Sequence, residues 1–151
     1  MGHPLHPPFV HFPLALWSIS LLWDAVGLWQ GELLWWQLSF WSMAAGLVMA
    51  LPAAVTGFIE YVKLPAERKV AMRIATRHMI VVMVSASAYT GSLILRGGAS
   101  IPAANRMIPA LALAILGFLS LHIGGWLGGE LVYKYRVGVK ETEDEVEKWI
   151  H

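Results

Sequence analysis

The sequence predicts an all-α integral membrane protein, a four-helix bundle running up-down-up-down. Three observations carry that prediction. The chain has 151 residues, 57% of them hydrophobic and 14% charged, where a soluble domain is about half apolar and about a quarter charged. The apolar excess is gathered into four stretches, each near the roughly 20 residues that a membrane-spanning helix needs. Lys and Arg crowd the segments on one side of those stretches and are sparse on the other.

The first span is expected from Phe9 to Trp29 and the second from Leu38 to Tyr61. The third is expected from Ile74 to Leu95 and the fourth from Met107 to Val132. Helix breakers separate them: Gln30-Gly31-Glu32, then Pro65, then Gly97-Gly98 with Pro102. Pro13 and Pro52 fall inside spans, where neighbouring helices re-satisfy the freed backbone groups. These spans make one membrane domain over residues 1–140. Residues 141–151 read as a short acidic amphipathic tail, with Thr142 and Glu145 at capping-box spacing and Val146, Trp149 and Ile150 on one edge. No Lys or Arg precedes the first apolar run, so no cleaved leader is expected.

Four spans place the N-terminus, the second loop and the tail on one side. Lys63, Arg68, Lys69, Arg73, Arg77, Lys134, Arg136, Lys140 and Lys148 lie there, against Arg96 and Arg106 opposite. The positive-inside rule then predicts cytoplasmic termini. Asp24 and Glu130 stand near span ends and read as interface residues. Cysteine is absent, which excludes disulfides, thiolate metal sites and c-type haem attachment. The chain shows no basic stripe with interleaved aromatics of the kind that binds nucleic acid. Small residues recur at Gly46, Ala50, Ala53 and Gly57, and in the pairs Gly124 with Gly128 and Gly125 with Gly129. Such stripes are above all helix-packing surfaces in lipid, and they would also suit a homodimer.

Ionisable side chains inside spans are functional-site candidates. His11, His78 and His122 all fall in the cytoplasmic half by depth along their helices, which suggests a shared metal or haem centre. The face running from His78 through Val82, Ser85, Tyr89 and Ser92 is small and polar, as an inward face should be. Glu60 and Tyr61 end the second span at the same level. Arg73 and Arg77 precede His78, where they could pair haem propionates or simply flank the span. His6, in the proline-rich segment before the first span, could fold back as a further ligand. Neutral imidazole binds iron, copper and zinc alike, so histidines alone do not choose the metal. Each could instead be satisfied by a neighbouring carbonyl or hydroxyl.

The opening His3-Pro4-Leu5-His6-Pro7-Pro8-Phe9-Val10-His11-Phe12-Pro13 resembles that of the bacterial four-helix membrane family known as domain of unknown function 2231. His78 and the closing Gly128-Gly129-Glu130-Leu131-Val132-Tyr133, followed by Val137-Gly138-Val139, are similar to its later signatures. The resemblance implies a four-helix membrane fold, with His6, His11 and His78 as motif positions. Some relatives carry a Rieske iron–sulfur domain, which implies a link to electron transfer.

These readings converge on a b-type cytochrome-like electron-transfer protein. Haem b would be bound by two of His11, His78 and His122, with Arg73, Arg77 and Tyr61 beside it and a redox protein or quinone as partner. The alternatives are a non-haem zinc, copper or iron site built from His6, His11, His78, His122 and Glu60, or a cofactor-free membrane anchor. Too few charges lie within the spans to favour ion transport.

Overall fold

The computed structural model describes residues 6–139, so the tail expected over 141–151 lies outside the described residues. Within them are four helices: α1 (His6–Gln30), α2 (Leu33–Val62), α3 (Lys69–Arg96) and α4 (Ala104–Tyr133). All four are long and apolar enough to cross a membrane. Each runs beyond its apolar core at both ends. The extension of most functional weight is at the start. Pro7 and Pro8, expected to hold that segment extended, occupy the first turn of α1, where a helix has no use for their missing N–H groups. His6 thereby becomes a helical residue packed on α2.

The turns follow from glycine. Gly31 (φ 72°) reverses the chain between α1 and α2. Gly97 (φ 69°) ends α3 in the left-handed conformation, its N–H reaching the carbonyls of Leu93 and Ile94. Both conformations are strained for any residue with a Cβ.

Each helix packs most closely on its sequence neighbour, α1 on α2 and α3 on α4, forming two antiparallel hairpins. Glycines permit the close approach. Gly46 lies against the Trp17 ring, Gly57 against the His6 ring, Gly117 against the Tyr89 ring, and Gly124 against Val82. The small-residue stripes of α2 and α4 are thus consumed within the chain, while Gly125 beside them faces open space.

The hairpins meet across a seam of large side chains on α1 and α3. Trp17 and Tyr89 stack at its middle, centroids 4.7 Å apart, and the Tyr89 hydroxyl donates to the Trp17 carbonyl. The Trp17 indole N–H donates to the Met43 carbonyl, tying the seam back to α2. The interior is otherwise small and hydroxylic. Ser20, Ser39, Ser85, Ser92 and Ser120 are all buried, while Leu51, Val48, Ile94 and Ile108 stand exposed on the outside. That arrangement suits lipid as the surrounding solvent, where packing and internal hydrogen bonds rather than water hold helices together. The inward face expected from His78 through Ser92 is observed: Ser85 and Ser92 donate to the Gly117 and Ala110 carbonyls of α4.

Asp24 and Arg96 are not the separate charges that the sequence suggests. They form a buried bidentate ion pair, Nη1 to Oδ1 at 2.9 Å and Nη2 to Oδ2 at 2.6 Å. Arg96 is also held by Ser92 Oγ at 3.3 Å and lies 5.8 Å from the centre of the Trp36 ring. Glu130 pairs with exposed Lys134 one turn on. At the termini end a second apolar cluster of Leu64, Ala71, Ala75 and Leu131 takes in Tyr135 and Val137 from the segment after α4. The Arg68 guanidinium holds that segment through the Tyr135 carbonyl.

Asp24→Ala strands a buried guanidinium and should cost about 3–5 kcal/mol, whereas Asp24→Leu with Arg96→Met should cost much less. Gly46→Ala drives a Cβ into the Trp17 indole, which should cost about 1–3 kcal/mol by overpacking; Gly125→Ala should be neutral. Unfolding midpoints of the detergent-solubilised variants check both.

Candidate functional site

The fold brings two histidines together at the termini end of the seam, His6 on α1 and His78 on α3. Their rings stand 6.3 Å apart, centroid to centroid, with planes at 88°. Each ring is held by the return helix of its own hairpin. His6 Nδ1 lies 2.8 Å from the Ala53 carbonyl, and His78 Nδ1 lies 2.8 Å from the Gly124 carbonyl. A carbonyl oxygen only accepts, so each Nδ1 carries the proton and donates it. In a neutral imidazole that tautomer puts the lone pair on Nε2, the arrangement by which carbonyls orient metal-binding histidines. Gly57 and Gly128 seat the two rings. A Cβ at Gly57 would stand 2.8 Å from His6 Cε1, and one at Gly128 would stand 3.2 Å from His78 Cε1.

The other expected residues are placed differently. His11 and His122 are exposed on the outside of the bundle, each with Nδ1 donating to its own helix one turn back, at Pro7 and Phe118. The ligand pairing expected from depth alone, His78 with His11 or His122, is therefore not the one the fold assembles. Depth gives the right level, but the rotation of each side chain about its helix axis decides which ones meet. Arg73 and Arg77 are exposed at the start of α3, and Glu60 is half-buried near the end of α2. The Tyr61 hydroxyl is engaged by Thr76 Oγ1 at 3.0 Å, linking α2 to α3 just outside the histidine pair. Among the described residues no three His, Asp or Glu side chains converge on one point. The set of His6, His11, His78, His122 and Glu60 is not assembled there.

A family model described as predicted membrane protein, domain of unknown function 2231, matches residues 2–141. The chain belongs to that family. The match covers all four spans and both members of the histidine pair. No curated protein and no solved structure matches the chain. The family description supplies a membrane location and no activity, so the chemistry rests on the residues themselves.

Sequence reasoning marks His6 only as an auxiliary ligand, and it does not find the ion pair. Both have a signal in the sequence. The interval from His6 to Asp24 is the same as that from His78 to Arg96.

His11→Leu and His122→Leu, on the outer surface, should leave stability within about 0.5 kcal/mol of the parent. His6→Ala and His78→Ala each remove one interhelical hydrogen bond and should cost about 1 kcal/mol. Denaturant titration in detergent separates the two classes.

Proposed function

We propose that this protein is a membrane electron-transfer protein of the b-type cytochrome kind, with His6 and His78 as the ligand pair for haem iron. The observation that carries the reading is the 6.3 Å separation of two rings whose Nδ1 atoms are both committed to carbonyls. A metal–nitrogen bond is about 2.0 Å long, so two imidazoles at this separation are near enough to share one metal ion. Haem iron is a centre for which two imidazoles would be the whole of the protein's contribution, and His6 and His78 would hold it. A tetrahedral zinc or copper site would need two further ligands, and among the described residues no third His, Asp or Glu joins the pair.

The surroundings support the same reading. The pair sits at the end of the bundle that carries Arg73 and Arg77, both exposed and able to meet propionates. Haem held there would supply one-electron transfer through its iron. The chain's own part is to hold the two imidazoles, fix their tautomers through Ala53 and Gly124, and exclude water with a packed seam. A quinone or a soluble redox protein would be the exchange partner at this end.

Orientation belongs to the same proposal. Arg96 is consumed by Asp24, which leaves Arg106 as the exposed cation at the far end among the described residues. Lys and Arg remain crowded at the termini end. That contrast favours cytoplasmic termini in a bacterial inner membrane.

The test is an optical spectrum of protein purified in detergent after expression with ample haem, oxidised and then reduced with dithionite. Reduced α and β bands with a shifted Soret band are expected. They should vanish in His6→Ala and His78→Ala and persist in His11→Ala and His122→Ala. Colourless protein would overturn the haem reading. Metal analysis of the same sample would then separate a non-haem centre from a cofactor-free anchor.

A further inference from the structure

The two hairpins repeat one another in sequence register. Laying α1 on α3 so that His6 falls on His78 also puts Val10 on Val82, Trp17 on Tyr89, Ser20 on Ser92 and Asp24 on Arg96. Laying α2 on α4 so that Gly46 falls on Gly117 puts Ala53 on Gly124 and Gly57 on Gly128. The contacts repeat with the residues. His6 bonds the Ala53 carbonyl and packs on Gly57; His78 bonds the Gly124 carbonyl and packs on Gly128. Trp17 packs on Gly46, and Tyr89 packs on Gly117.

Across the seam, side chains on α1 meet their own counterparts on α3. His6 faces His78, Trp17 stacks on Tyr89, and Asp24 pairs with Arg96. Residues meeting their equivalents are the mark of an isologous, two-fold interface. Each unit has two spans, so both insert in the same direction and the axis runs along the membrane normal.

We infer that the chain is two fused copies of one helical hairpin related by this pseudo-two-fold axis. The His6–His78 pair is then a single site on the axis, each copy giving one imidazole, one carbonyl to orient it and one glycine to seat it. The site half of the inference rests on the haem reading above; the duplication half does not. The copies differ where they carry charge. Two identical hairpins would meet with Asp against Asp or Arg against Arg at the buried position. Asp24 opposite Arg96 makes the hairpins complementary and penalises each pairing with its own kind. The pair is a specificity device that commits the two halves of one chain to each other.

The test uses the full chain with Asp24→Arg, Arg96→Asp and the double exchange. Thermal midpoints are read without added cofactor, and hemin is then titrated into each protein. In a two-fold environment an exchanged pair regains its partner, and Arg at position 24 finds Ser20 where Arg96 has Ser92. It finds Met107 rather than Trp36, a contact the repeat does not preserve. The double exchange should therefore melt within about 5 °C of the parent, and each single reversal should fall by more than about 10 °C. A double exchange no more stable than the worse single would overturn the duplication. For the site, hemin should saturate at one per chain with a six-coordinate spectrum, and His6→Ala and His78→Ala should lose it equally. A spectrum lost in one of these variants but retained in the other would overturn the shared site. Rescue by exchange without hemin binding would uphold the duplication and reject the haem reading; hemin binding without rescue would do the reverse.

Discussion

The buried Asp24–Arg96 pair sets the terms on which this bundle holds together, because its interior must satisfy polar groups that lipid does not. Two opposite charges leave water entirely, and the penalty is offset by bidentate geometry, the Ser92 hydroxyl and the Trp36 ring face. The pair ties α1 to α3, helices that otherwise touch through a few large side chains. Below it, the Trp17–Tyr89 stack and the histidine pair repeat the same solution at lower charge. Ser85, Ser92 and the two histidines face inward to carbonyls, while many Leu, Ile and Val side chains face out. The seam runs the length of the span. The rise from His6 to Asp24 is about 27 Å along the helix, so one pair lies near each boundary of a hydrocarbon core about 30 Å thick.

Much of the fold is legible in the sequence. Apolar run length gives four helices, and glycine and proline place the breaks. The inward face from His78 to Ser92 follows from helical period alone. Hydropathy draws the helix ends short because it marks lipid contact, whereas the backbone stays helical into the headgroup region. Pro7 and Pro8 read as extended by local preference; a first turn needs no N–H, so they begin the helix instead. Asp24 and Arg96 read as separate charges near span ends because hydropathy sees each alone. They stand on different hairpins, and the burial of either makes sense only with the other.

The site is half legible. Level within the membrane follows from counting residues at a rise of about 1.5 Å each, and the proposed ligands do lie toward one end. Which side chains meet depends on azimuth, and that depends on packing no single helix reveals. His11 and His122 have the right depth and the wrong face; His6 has the right face because Gly57 admits its ring. Comparing the two halves of the chain finds His6, since it stands in the same register as His78.

The helices also outreach the membrane they cross. At 30 residues each, α2 and α4 are about 45 Å long, and a tilt of about 20° shortens that along the normal by only about 3 Å. About 12 Å of surplus helix then stands among the headgroups of a hydrocarbon core about 30 Å thick. Exposed aromatics such as Trp29 and Tyr133 lie at helix ends suited to that zone. Bilayers differing by a few ångströms in thickness then shift how much helix is immersed without stretching the seam. Hydrophobic mismatch is absorbed at the helix ends, and the Trp17–Tyr89 stack at the middle of the seam is insulated from the lipid composition around it.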